Sequence, residues 1–171
     1  MENQKNTIPQ KNIERLETQG FTGYTAEELS EHQYGIRFAY WLCASFVALG
    51  IILNSIPVLV FALLAALGAV IHNRHPFDYI YNNGVRQLLN KPKSPKRAIQ
   101  GKIACGLASV HIIGIILSFY YGHFVIGYII GGTLLSVALL VASTDFCIPS
   151  VMYKYFMKNK TSAIEDNLEK V

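Results

Sequence analysis

Four long stretches of apolar residues constrain the fold of this chain more than any other feature. They occupy residues 36–53, 56–71, 103–121 and 124–143. A helix of roughly 20 apolar residues, rising about 1.5 Å per residue, crosses the hydrocarbon layer of a bilayer. Helices are expected rather than strands, because hydrocarbon cannot hydrogen-bond free backbone groups and the stretches show no alternation of apolar and polar residues. The sequence therefore predicts an all-α fold, a four-helix transmembrane bundle.

The composition excludes several other classes of protein. Hydrophobic residues make up 51% of the chain and charged residues only 15%, whereas ordinary soluble domains carry about 25% charged residues. Residues 1–35 contain no short apolar core, so no removable signal peptide is expected. The three cysteines, Cys43, Cys105 and Cys147, form no CxxC pair, which argues against a disulfide framework or a zinc knuckle. Cys43 and Cys105 are interpreted as small apolar packing residues.

The distribution of the 15 lysines and arginines predicts the topology. Two tight turns, at residues 54–55 and 122–123, join the stretches into two antiparallel hairpins, and neither turn carries a positive charge. Four lysines and arginines lie at or before Arg37, seven lie in residues 72–102, and four lie beyond Tyr153. Because positive charge favours the cytoplasmic side, both termini are expected in the cytoplasm. The net charge of +4 thus reflects topology, and no nucleic-acid partner is expected.

The segment between the hairpins is predicted to contain an amphipathic helix over residues 77–89. Asn82 and Arg86 lie on its polar side, and Asp78 favours the positive end of the helix dipole. Its apolar residues recur at helical spacing, at Phe77, Ile80, Tyr81, Val85, Leu88 and Leu89. We expect this helix to lie in the membrane interface without crossing it.

A basic run follows this helix and contains Lys91, Lys93, Lys96, Arg97 and Lys102. The run is expected either to attract anionic lipid head groups or to form a solvated loop. The lipid bilayer is thus the first expected partner. Another membrane protein or a second copy of the chain is a further candidate.

The polar ends of the chain are predicted to flank a single membrane domain. Thr25 and Glu28 have the spacing of a capping box, which predicts a short helix over residues 26–33 that feeds into the first span. The residues before that helix are expected to be weakly ordered. The predicted organisation is a polar tail with a short helix (1–33), a four-span membrane domain (34–156) and a second polar tail (157–171).

Small residues predict how the helices pack, since helices in lipid approach closely only where side chains are small. Gly127 and Gly131 have GxxxG spacing in the fourth stretch. The second stretch carries an alanine stripe at Ala62, Ala65, Ala66 and Ala69. We interpret both features as internal packing seams, with self-association of the protein as the alternative.

Five side chains are predicted to share one level, at the cytoplasmic ends of the second and fourth helices. They are His72, His75, Asp78, Asp145 and Cys147. Imidazole, carboxylate and thiolate groups bind zinc and iron, which makes this set the candidate metal site. The alternative is hydrogen bonding at helix ends. Asp145 needs a partner so close to hydrocarbon, and the two imidazoles or Arg86 are candidates.

His111 is the candidate cofactor-binding residue, because it lies near the middle of the third apolar stretch. An ionisable side chain is unfavourable at that depth unless it is paired. The candidate partners are a bound polar ligand, such as a quinone carbonyl, or the side chains of Ser45, Thr133 and Ser136. The alternative is a neutral histidine that donates one internal hydrogen bond.

Three motifs of the chain occur in one known family in the same order. They are HNRHPFDYIYNNGVR at 72–86, KPKSPKR at 91–97 and TDFCIPSVMY at 144–153. Over about residues 34–156 the chain resembles the bacterial membrane family called domain of unknown function 4395. The resemblance implies a similar architecture in a bacterial inner membrane and no particular activity. Some members carry a second cysteine near the carboxyl end, whereas Pro149 and Ser150 follow Cys147 here, so a two-cysteine redox switch is not implied.

Two functions remain open at this point. The first is a non-enzymatic component or accessory subunit of a membrane complex, in keeping with a sequence that shows no set of serine, histidine and acid and no phosphate-binding glycine loop. The alternative is a small membrane oxidoreductase, or a subunit that binds a cofactor or metal through the histidine, cysteine and aspartate level. The sequence assigns no particular cofactor to either function.

Overall fold

The computed structural model describes residues 8–72 and 74–156, and every regular element in them is helical, which confirms the all-α class. The helices are α1 (Gln10–Thr18), α2 (Ala26–Ile52), α3 (Ile56–Ile71), α4 (Pro76–Ile80), α5 (Arg86–Leu89), α6 (Ile99–Tyr120) and α7 (Phe124–Thr144). A π-helical turn, Tyr81–Val85, joins α4 to α5, and residues 148–156 are also helical. The predicted carboxyl-terminal tail, 157–171, lies outside the described residues.

Three of these helices, α2, α6 and α7, are long and apolar enough to cross a membrane. Helix α3 has only 16 residues and meets the same criterion only together with the segment Pro76–Leu89, from which it is bent by 88°. In the described part of the chain there are thus three candidate spans, or four if the bent pair is one span. These apolar helices indicate a membrane protein.

The four long helices pack in a closed arrangement, in which α2 and α6 each contact both α3 and α7. The two predicted turns are present, and each contains a left-handed residue, Asn54 with φ of 47° and Gly122 with φ of 76°. Such a conformation allows the chain to reverse within three residues. The Tyr128 hydroxyl donates to Asn54 Oδ1 at 2.9 Å, so both turns lie at one end of the molecule.

The predicted packing seams are internal. The alanine stripe of α3 is buried, as are Gly127 and Gly131 of α7. A Cβ atom on Gly131 would lie 2.5 Å from Ile51 Cδ1, closer than side chains normally approach, and in ordinary contact with Ile115 Cδ1 at 3.6 Å. Close contact between α7 and its neighbours therefore depends on this glycine.

The amino-terminal region is more ordered than its sequence predicts. The Thr25 and Glu28 capping box is confirmed, but the helix that it begins continues without a break to Ile52, because no residue interrupts it. Among the residues expected to be weakly ordered, Gln10–Thr18 form α1, whose Ile13 and Leu16 are buried, while residues 1–7 lie outside the described part of the chain. Ile13 and Leu16 pack with Phe21, Leu29 and Ile36. Burial of these apolar side chains stabilises a helix that would not form alone.

The helix predicted over residues 77–89 is present but does not have the expected polar face. Asn82 has a partner outside this segment, since its Oδ1 accepts from the backbone N–H of Ser94 at 2.8 Å. Asn82, expected on the polar side, is buried, whereas Ile80 is exposed. Arg86 Nε donates to the backbone oxygen of Asn82 at 2.7 Å. The protein thus buries both Tyr81 and Asn82 beneath this segment.

Candidate functional site

Asp145 follows α7 as its left-handed capping residue, with φ of 56°, and is 1% exposed. Arg37 donates two hydrogen bonds to its carboxylate, from Nε to Oδ1 at 2.9 Å and from Nη2 to Oδ2 at 2.7 Å. Gln33, one helical turn earlier on α2, donates to Oδ2 at 2.5 Å. The prediction that Asp145 is paired is confirmed. Its partner is Arg37 rather than an imidazole or Arg86, because Arg86 is bonded within its own helix.

Helix α1 and the residue that follows it cover this ion pair. Gln19 Nε2 donates to the backbone oxygen of Asp145 at 2.7 Å, and Arg15 Nη1 donates to that of Thr144 at 2.6 Å. The Arg15 guanidinium also lies over the ring of Phe146, 5.4 Å from its centroid. These bonds satisfy carbonyl groups that the end of α7 leaves free. The amino-terminal segment is therefore part of the folded structure around Asp145.

A second ion pair, between Asp78 and Arg97, is almost completely buried, with side-chain exposures of 0% and 2%. Arg97 Nη2 lies 3.2 Å from Asp78 Oδ1, and its Nε donates to Oδ2 at 3.3 Å. The backbone N–H of His75 donates to the same Oδ2 at 2.8 Å. The guanidinium also lies over the ring of Tyr40, 4.8 Å from its centroid. This pair ties the basic run to α4 and α2.

His75 lies between α3 and α4, outside the long helices, and its ring has a defined tautomer. Burial, together with the positive charge of Arg97, lowers the pKa of His75 to about 3, so its ring is neutral near pH 7. Its Nδ1 accepts a hydrogen bond from the backbone N–H of Phe77 at 3.2 Å. A neutral imidazole that accepts at Nδ1 carries its hydrogen on Nε2. His75 Nε2 is therefore a hydrogen-bond donor.

A cavity of about 290 Å³ lies among the long helices and is walled mainly by apolar side chains. Its size is just below the roughly 300–1,000 Å³ that ligand pockets occupy. His75 and His111 both line it. So do the three cysteines, Cys43, Cys105 and Cys147, which come from α2, α6 and the segment after α7. Two histidines and all three cysteines of the chain therefore lie on the wall of this one cavity.

His111 has a partner on its own helix. Its Nδ1 lies 2.8 Å from the backbone oxygen of Leu107, and because a carbonyl can only accept, Nδ1 carries the hydrogen. The three predicted partners instead bond to backbone oxygens of their own helices, at Trp41, Ile130 and Gly132. The structure thus shows the internal hydrogen bond that the sequence left as the alternative. In the uncharged tautomer with its hydrogen on Nδ1, Nε2 is an acceptor.

The five residues of the candidate metal site are not brought together. No three His, Cys, Asp or Glu side chains among residues 8–72 and 74–156 lie close enough to hold a metal ion. The two aspartates bond to two different arginines, and His72 is exposed with its Nδ1 3.2 Å from the backbone oxygen of Gly68. Of the five, His75 and Cys147 line the cavity, and the Asp78 carboxylate accepts from the backbone N–H of His75.

Sequence reasoning missed two features of this region. Gln33 and Arg37 are four residues apart and so lie on one face of α2, a local pattern that could have indicated a shared carboxylate partner. No local pattern of residues indicates that the three cysteines line one cavity, because this depends on how α2 and α6 are rotated about their axes.

Comparison with known proteins assigns the chain to a family. Neither a curated protein nor a solved structure matches it significantly. The family described as domain of unknown function (DUF4395) matches residues 32–158, which include both aspartates, both cavity histidines and the three cysteines. Helix α1, which covers Asp145, precedes the matched residues. The chain therefore belongs to the DUF4395 family.

Proposed function

We propose that this protein binds a small lipophilic molecule in the cavity among its membrane helices. The observation that carries the proposal is a cavity of about 290 Å³ with apolar walls and two histidines among its lining residues. Ligand sites typically combine an apolar lining with a few polar groups that fix orientation. His75 and His111 supply such groups, since each bonds through Nδ1 and no residue in the described parts of the chain bonds to Nε2 of either ring.

Ligand binding fits one of the two functions that the sequence left open, a subunit that binds a cofactor. It is equally suited to an accessory subunit of a membrane complex that carries a lipophilic molecule. No reaction is proposed, because the two buried carboxylates that could transfer protons are engaged with Arg37 and Arg97.

We also propose a four-span arrangement in a bacterial inner membrane, with both termini in the cytoplasm. Helix α3 would form the short second span, and the segment Pro76–Leu89, bent from it by 88°, would lie in the membrane interface. The two turns lie together at one end and carry no lysine or arginine. Asp145 lies at the other end of α7 from the turn at 122–123, and Gln19 and Arg15 join the segment of helix α1 to that end. The positive-inside rule places that charged part of the molecule in the cytoplasm.

Anionic lipids are proposed to contact the basic run at its exposed lysines. Arg97 is buried with Asp78, and Lys91 Nζ lies 5.0 Å from the ring centroid of Tyr34, so these two side chains already have protein partners. Lys93 and Lys96 are exposed and lie in the same run. They are the side chains that phospholipid head groups can reach.

Photolabelling tests the ligand-binding proposal. Purified protein in lipid nanodiscs is irradiated with an alkyl diazirine alcohol, and the labelled residues are mapped by mass spectrometry. We expect saturable labelling at Ala108 and Val137, which line the cavity, and labelling that rises linearly with probe at the exposed Val125. Linear labelling at all three positions would contradict the proposal, because it would mean that the probe reaches them only from bulk lipid.

A matched pair of variants sharpens this test. Ala108→Phe fills part of the cavity, whereas Val110→Phe adds a phenyl group on the same helix at a residue that is 66% exposed. We expect the first variant to lose saturable labelling at Val137 and the second to retain it. Equal labelling of the two variants would show that the probe does not occupy this cavity.

A further inference from the structure

The two histidines of the cavity have opposite hydrogen-bonding roles. His75 receives the Phe77 N–H at Nδ1, so its Nε2 donates. His111 gives its Nδ1 hydrogen to the Leu107 carbonyl, so its Nε2 accepts. Both rings line the same cavity. The backbone thus fixes one donor and one acceptor on the wall of a largely apolar space.

The donor and the acceptor come from different parts of the chain. His75 lies between α3 and α4, whereas His111 lies on α6, and both line the one cavity of about 290 Å³. A small molecule that occupies this cavity can carry a different polar group for each imidazole.

We propose that the ligand of this cavity is a lipophilic molecule with two polar groups. One is an acceptor oxygen, of the carbonyl or ether type, that receives the hydrogen of His75 Nε2. The other is a hydroxyl that donates to His111 Nε2. This inference rests on the proposed function and specifies the ligand class. It excludes a quinone carbonyl as the group bound by His111, since a carbonyl oxygen and a bare imidazole nitrogen are both acceptors. The acceptor role belongs to the uncharged imidazole, since an imidazolium would donate from both nitrogens.

Each hydrogen bond should contribute measurably to affinity, because the walls of the cavity offer few other polar groups. A net hydrogen bond in a protein corresponds to an affinity change of roughly five- to tenfold. Donor and acceptor contributions can be measured separately with paired compounds that differ in one polar group. An alkylphenol and its methyl ether test the hydroxyl, and a dialkyl ketone and the alkane of equal length test the carbonyl.

The experiment measures how well these four compounds compete with the diazirine probe in wild type and two variants. His111→Phe removes the acceptor. His75→Asn removes the ring Nε2–H but retains a side-chain oxygen that can accept the Phe77 N–H, so the start of α4 stays capped. Ser136→Ala is the control, because Ser136 bonds only to the Gly132 oxygen of its own helix and does not line the cavity.

In wild type and in Ser136→Ala we expect the phenol to compete roughly five- to tenfold better than its methyl ether, and the ketone better than the alkane by a similar factor. His111→Phe should abolish only the phenol preference, and His75→Asn only the ketone preference. A ketone preference that disappears in His111→Phe would overturn the proposal, since it would mean that His111 donates.

Two further outcomes separate this inference from the proposed function. If all four compounds compete equally in wild type, the cavity binds apolar molecules without the two hydrogen bonds, and the ligand class proposed here is wrong while the proposed function stands. If no compound competes and probe labelling is linear, the proposed function itself fails.

Discussion

Arg37 and Asp145 form a two-point ion pair that joins α2 to the residue after α7, with N–O distances of 2.7 and 2.9 Å. The two residues are 108 positions apart in sequence, so the pair closes the first long helix against the last. Because Gln33 and Gln19 bond to the same aspartate, its carboxylate and its backbone oxygen are both satisfied. This arrangement fixes the end of α7, and with it the segment 147–152 that completes the cavity wall.

Asp145→Asn should lower the free energy of unfolding by about 1–3 kcal/mol. The amide tolerates the left-handed backbone and still accepts one hydrogen bond, but it leaves Arg37 without an opposite charge. Chemical unfolding in detergent, followed by circular dichroism, measures the change. The double variant Arg37→Gln with Asp145→Asn should lose less than the sum of the single variants. An Asn variant as stable as wild type would show that the pair does not stabilise the fold.

Removing one member of the buried pair Asp78–Arg97 should be more damaging. Arg97→Gln leaves the Asp78 carboxylate in a site with 0% exposure, and breaking such a pair costs about 3–5 kcal/mol. The double variant with Asp78→Asn removes the buried charge and should recover part of that loss. Detergent unfolding of the two variants gives the comparison. Equal instability of the single and double variants would contradict this explanation.

Adjacent glycines of α7 provide a matched test of helix packing. Gly131→Leu should destabilise the protein by about 1–3 kcal/mol, because a Cβ at that position already meets Ile51 at 2.5 Å. Gly132→Leu should have little effect or stabilise the helix slightly, since nothing lies within 4 Å of its Cβ position. Thermal unfolding in detergent distinguishes the variants. Similar melting temperatures for both would mean that α7 is rotated relative to the structure.

Leu16→Asp should release α1 from the rest of the protein. Leu16 is fully buried among apolar side chains, and a carboxylate in that position is strongly disfavoured. Hydrogen exchange over residues 10–18 should become faster, while exchange in the centre of α6 stays slow. Glu17→Ala, an exposed change in the same helix, is the control. Unchanged exchange in the Leu16 variant would show that α1 does not dock through this face.

Local signals were sufficient for much of the fold. The apolar stretch 56–71 coincides with α3, and the Thr25 and Glu28 pair begins α2 as predicted. Helix α1 could not be predicted because its few apolar residues matter only once α2 presents Leu29 and Ile36 beside them. The polar face predicted for 77–89 failed at Asn82, because that side chain is buried against the backbone of Ser94, a contact between segments that helical spacing does not show.

The candidate site was predicted only in part, for a related reason. Sequence correctly indicated that Asp145 needs a partner, but it cannot show which arginine a helix rotation brings near. It placed His75 and Cys147 together and did not place His111 with them, although all three line one cavity. Tautomers depend on single backbone hydrogen bonds, which no pattern of residue types encodes.

The number of ligand molecules bound per chain distinguishes a defined site among the helices from partitioning into bulk lipid. Native mass spectrometry of protein released from nanodiscs, with the alkyl diazirine alcohol added, counts the molecules bound to each chain. We predict one bound molecule per chain in wild type and in Val110→Phe, and none in Ala108→Phe. Only Ala108→Phe places a phenyl group inside the cavity and so leaves too little space for the ligand. Equal binding to all three proteins, or binding of several molecules without saturation, would contradict a defined site among the helices.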